Sequence, residues 1–147
     1  MAATREPLRL ELAATRAEVG RALDELRRAC AAWAAPVEVT DDLCLAADEV
    51  LANVVLHAYA GDPAGRAWLE CRPVVDGFEL EVLDRAAAFD PLAAAPAAIG
   101  DERAGDQVGG LGIHLLRAVM DDIRYTRVDG ENRLLLHRRL RDNEPAA

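Results

Sequence analysis

The stretch that decides the reading runs from Ala47 to Tyr59, ADEVLANVVLHAY. It is mostly apolar, yet Glu49, Asn53 and His57 recur at intervals of four. On a helix that spacing stacks the three side chains along one stripe. Leu43, Ala46, Ala47, Val50, Val54 and Ala58 supply core-facing surface beside the stripe, so Glu49 lies at the edge of apolar surface and not in a charged belt. A partly desolvated carboxylate suits a general base. The carboxamide of Asn53, one turn on, offers a neutral oxygen that can ligate Mg²⁺ without repelling a phosphate. The spacing alone fits the polar edge of an ordinary amphipathic helix equally well.

The rest of the chain narrows the choice. A length of 147 residues suits one domain with a core, and with 4% aromatics Leu, Val and Ala must fill it. No apolar run approaches the ~20 residues of a membrane helix. Residues 1–6 lack the apolar segment of a signal peptide, so a cytoplasmic protein with no membrane partner is expected. A net charge of −9 disfavours nucleic acid as a partner, because backbone binding needs a basic face. All 17 basic residues are Arg. Any phosphate site must therefore use backbone N–H groups, a metal ion or Arg. Cys30, Cys44 and Cys71 have no CxxC spacing and read as buried, reduced thiols.

Residues 7–12 alternate as a first strand, and Thr15 to Trp33 reads as an amphipathic helix with Val19, Leu23, Leu26 and Cys30 inward. Thr40-Asp41-Asp42 resembles an N-cap with an acidic first turn, which predicts a second helix from about Asp41 to Tyr59. Strands are expected at Ala67–Val74 and Phe78–Asp84, with Asp76-Gly77 as the turn, and at Ile123–Arg127 and Arg133–Arg139, joined across Asp129-Gly130. Residues 84–108 read as an irregular loop, GGLG (109–112) opens a third helix over Leu111–Met120, and the tail after Leu140 reads as frayed. Helices on one face of a mostly antiparallel sheet give an α+β, two-layer sandwich. His114 and His137 read as structural, and no His/Cys cluster has metal-ligand spacing.

Three separated features now stand in order. They are the acid–amide helix, the strand end Asp84-Arg85-Ala86-Ala87-Ala88-Phe89-Asp90-Pro91, and Gly109-Gly110-Leu111-Gly112 at a helix start. A Gly-rich helix N-terminus presents free N–H groups and a positive dipole end to an anion. With DEVLANVVLHAY, DRAAAFDPL and GGLGIHLLRAVMDDIRYTR, the chain resembles the GHKL, or Bergerat-fold, ATPases from about residue 8 to 140. Within them it resembles the anti-sigma-factor serine kinases, the switch kinases of bacterial partner-switching systems.

The resemblance implies a single histidine-kinase-like ATPase domain over 1–147, with an ATP lid over 92–108. It implies an ATP-dependent serine/threonine kinase that uses Mg²⁺. Such a kinase phosphorylates an anti-sigma-factor antagonist and sequesters a sigma factor or similar regulator, and homodimers are common. Glu49 matches the general base and Asn53 the Mg²⁺ ligand. His57 matches a polar position near the phosphates, and Asp84 the carboxylate that accepts from the adenine amino group. Ala86 and Ala88 fall in the segment after that carboxylate. Gly109, Gly110, Leu111 and Gly112 match the phosphate-binding loop. Two departures touch the adenine end. Ala86 stands where the family has Gly, at a cost of about 1 kcal/mol if the backbone there is left-handed. Residues 133–137 offer no hydroxyl where the family often has Thr. A binding module that sequesters partners without phosphoryl transfer is the alternative.

Overall fold

The computed structural model describes residues 4–92 and 108–144. The elements run β1 (Leu8–Ala13), α1 (Arg16–Ala32), α2 (Val37–Asn53), a π-helical turn (Val54–Ala58), β2 (Arg66–Val74), β3 (Gly77–Asp84), α3 (Val108–Val119), β4 (Asp122–Val128) and β5 (Glu131–Arg139). The strands form one sheet in the order β1-β2-β3-β5-β4, and every neighbouring pair is antiparallel. The α+β sandwich is as expected. Alternation places Leu69, Leu80, Val82, Leu134 and Leu136 on the covered face, where they meet Leu26, Leu43, Leu51 and Leu116 from the helices. Trp33, at the end of α1, packs on Phe78 with ring centroids 5.7 Å apart and donates its indole N–H to Glu6 O at 2.9 Å. Among the described residues no helix is long and apolar enough to cross a membrane.

Local chemistry explains most boundaries. Thr15 caps α1, its Oγ1 accepting from Glu18 N at 3.2 Å. Asp129 and Gly130 both have positive φ, at 51° and 78°, which is what a two-residue turn between β4 and β5 requires. The expected Asp76-Gly77 turn is shifted by one. Val75 and Asp76 form the loop, and Gly77 opens β3 opposite Val74. Glycine is needed there because a Cβ would meet Arg138 O at 2.1 Å.

Helix α2 departs from expectation at both ends. It begins at Val37 behind Pro36, one turn before the anticipated Thr40 cap, and Thr40 instead donates its hydroxyl to Pro36 O at 3.2 Å. Its α-helical part stops at Asn53, and the next turn widens, with Tyr59 N donating to Val54 O at 3.0 Å. Residues 141–144 of the tail are held, not frayed. Glu144 is buried and takes a bidentate pair from Arg138 at 2.9 and 2.8 Å. Arg138, fully buried in β5, also reaches Asp42 of α2 at 2.8 Å.

Candidate functional site

A cleft opens between α2, the sheet and α3, enclosing about 500 Å³ with its mouth. Val50, Asn53 and Val54 form one wall, Ile113 and Leu116 of α3 another, and Val82, Asp84, Tyr125, Asn132 and Leu134 the floor on the sheet. Phe89 and Pro91 stand at its rim. The walls are apolar and the polar groups few, with Asp84 and Asn132 buried, the usual make-up of a small-molecule site.

Asp84 ends β3 and is 6% exposed. In the β3–β5 register it lies opposite Asn132, which is 5% exposed. Asn132 Nδ2 donates to Asp84 Oδ1 at 2.8 Å, and the N–H of Ala86 donates to the same oxygen at 3.0 Å. Asn132 also donates to Ala87 O at 3.0 Å and accepts from Tyr125 Oη at 2.5 Å and from Phe89 N at 3.3 Å. Arg127 of β4 donates to Ala86 O at 2.7 Å. The segment after β3 is thus held from below by two strands. Tyr59, the last residue of the opening stretch, brackets it from the side. Its hydroxyl donates to Arg66 O at 2.6 Å and accepts from Arg85 N at 2.8 Å.

The other end of the candidate site is set by α2 meeting α3. A Cβ placed on Gly112 would lie 3.1 Å from Glu49 Oε2 and 3.4 Å from Asn53 Nδ2. Carboxylate and carboxamide therefore converge on the first turns of α3, and the missing side chain at 112 makes room for them. Helix α3 starts at Val108, so Gly109 and Gly110 lie within its first turn and not ahead of it. The first-turn amides of a helix have no intrahelical partners and point toward any anion at its start.

The other expected residues fall unevenly. His57 is exposed and does not line the cleft, because the π-helical turn after Asn53 rotates it off the stripe that an unbroken α-helix would have kept. Ala86 is buried and is not among the described residues with positive φ, so the expected left-handed strain does not arise. Ala88 is exposed. The expected lid over 92–108 lies, apart from its two end residues, outside the described residues. Asn132 and Tyr125 were missed. They join Asp84 only through the β3–β5 and β4–β5 pairings, which no local pattern announces.

The set of an antiparallel sheet under three helices, a buried carboxylate at a strand end and an acid–amide pair against a glycine-rich helix start defines a nucleotide-binding domain of one class. The profile described as "Histidine kinase-like ATPase domain" matches residues 12–138, and the chain belongs to that family. More narrowly, the relatives it resembles are named as serine kinases. It is 35% identical over 104 residues to the serine/threonine-protein kinase BtrW of Bordetella bronchiseptica, covering 71% of this chain and 72% of that one. It is 30% identical over 97 residues to the serine-protein kinase RsbW of Listeria innocua, covering 63% and 62%. The fold also matches the RsbU and RsbW domains of Rv1364c from Mycobacterium tuberculosis, with a TM-score of 0.67 at 23% identity, over 96% of this chain and 34% of that one.

Proposed function

We propose that this chain transfers the γ-phosphate of ATP to a serine or threonine hydroxyl of a small partner protein, an anti-sigma-factor antagonist. In the same proposal it binds a sigma factor or similar regulator and holds it inactive, acting as a homodimer. The observation that carries the reading is the convergence of Glu49 and Asn53 on Gly112 beside the cleft that holds Asp84.

Glu49 takes the proton from the acceptor hydroxyl as it attacks phosphorus. Asp84 receives the amino group of the base within the cleft. The free first-turn amides of α3, at Gly109 and Gly110, cradle the phosphate chain in place of the lysine that this chain lacks. Asn53 fits Mg²⁺, which keeps several waters and asks few protein oxygens, and when bound the ion neutralises charge on the phosphates. Positioning and electrostatics supply most of the catalysis in phosphoryl transfer, so these few groups suffice. Phosphate added to the antagonist changes charge at its interface and frees it.

The binding-only alternative drew on Ala86 in place of glycine and on the lack of a hydroxyl in residues 133–137. An unstrained Ala86 weakens the first of these supports. Incubation with labelled ATP and a small antagonist protein of the partner-switching type separates the readings. Label on the antagonist is the expected result, and tight complex formation with no label after hours supports sequestration alone.

A further inference from the structure

The four hydrogen-bonding positions of the Asn132 carboxamide are all taken. Both N–H groups are given, to Asp84 Oδ1 and to Ala87 O, and both lone pairs are filled, by Tyr125 Oη and the N–H of Phe89. The backbone partners fix its orientation. Turned over, its oxygen would face a carboxylate and a carbonyl, and its NH₂ would face an N–H. Asn132 therefore has nothing left to offer a ligand. Asp84 is different. Its Oδ1 holds two N–H donors, from Asn132 and Ala86, while Oδ2 has no hydrogen-bond partner among the described residues.

We propose that Asn132 is the positioning residue for base selection. It consumes one oxygen of Asp84 and leaves the other as a lone acceptor in the cleft. The site then favours a purine with an amino group at that point over one with a carbonyl, whose oxygen would meet Oδ2 unpaired. This rests on the nucleotide reading above. Asn132 stands where a side chain with a single hydroxyl could not do the same work. A hydroxyl has one proton, and it cannot donate to Asp84 and to Ala87 together.

The test compares ADP with inosine diphosphate by calorimetry on the wild type, Asn132→Leu and Asn132→Thr. The wild type is expected to prefer ADP. In Asn132→Leu the preference should shrink by about tenfold, the worth of a hydrogen bond to a charged group, with Asn132→Thr in between. Where leucine prevents folding, threonine carries the comparison. Equal losses for both nucleotides, with the preference intact, would make Asn132 a structural residue and overturn the proposal. A second readout needs no nucleotide. The side-chain NH₂ protons of Asn132 should exchange slowly with solvent in the free protein, and fast exchange overturns the network itself. Slow exchange with no ADP binding overturns the nucleotide reading instead, and base selection with it.

Discussion

Glu49 and Gly112 carry the sharpest tests at the scale of single residues. Glu49→Gln keeps the shape and removes the base. Transfer to the antagonist should fall about 10²- to 10⁴-fold while ATP affinity stays near the wild-type value, read by labelled-phosphate transfer and calorimetry. Equal loss of both would make Glu49 a structural residue. Gly112→Ala separates stability from function. Alanine gains up to about 1 kcal/mol of helix preference over glycine. Its methyl, at 3.1 Å from Glu49 Oε2, moves a flexible carboxylate and not backbone. The melting temperature should hold or rise while transfer drops about tenfold through misplacement of the base. A lower melting temperature would mean that the two helices cannot part by a few tenths of an ångström. That Glu49 and Asn53 share a face was legible from their spacing, because i and i+4 lie together wherever the helix is regular. His57 falls in the wider turn that begins after Asn53, and nothing in VVLHA signals that turn.

Among elements, the link between the end of the opening helix and the segment after β3 decides how firmly Asp84 is presented. Tyr59 makes it through one hydroxyl, and its ring occupies the space beside Gly65, where a Cβ would come within 2.4 Å. Tyr59→Phe leaves the ring and removes both hydrogen bonds. Unfolding by urea should show a loss of about 1 kcal/mol, and ADP affinity should weaken as Arg85 N loses its acceptor. Unchanged affinity would show that β4 and β5 hold the segment unaided. Strands and hairpins were readable here because period-two alternation and Asp-Gly are local signals. The start of α2 was not. Pro36 opens a helix with no capping side chain, whereas Thr40-Asp41-Asp42 imitates a cap inside it. Asn132 escaped notice for a related reason. Its partner Asp84 is 48 residues away and meets it only through sheet register.

Across the whole molecule, Arg138 ties β5, α2 and the tail through Asp42, 96 positions away, and Glu144, 6 positions away, so no sequence pattern could reveal it. The Arg138 hydrogen bonds hold the Glu144 carboxyl down at about 2, against an ordinary 4.5. A carboxyl whose pKa is depressed by folding stabilises fully above its unfolded value and ceases to as pH falls through the folded one. Thermal melts between pH 5 and 2 should therefore fall more steeply for the wild type than for Glu144→Gln, and the curves should converge near pH 2. Parallel curves would mean that the tail contributes nothing. Arg138→Met, which strands two carboxylates, should cost about 3–5 kcal/mol. The central claim belongs to this scale too, since α2, the end of β3 and the start of α3 must close on one nucleotide. Calorimetric titration of the intact chain with ATP and Mg²⁺ tests it most directly. Saturable one-to-one binding that is lost in Asp84→Ala is the predicted result, and no heat at millimolar ATP would contradict the account.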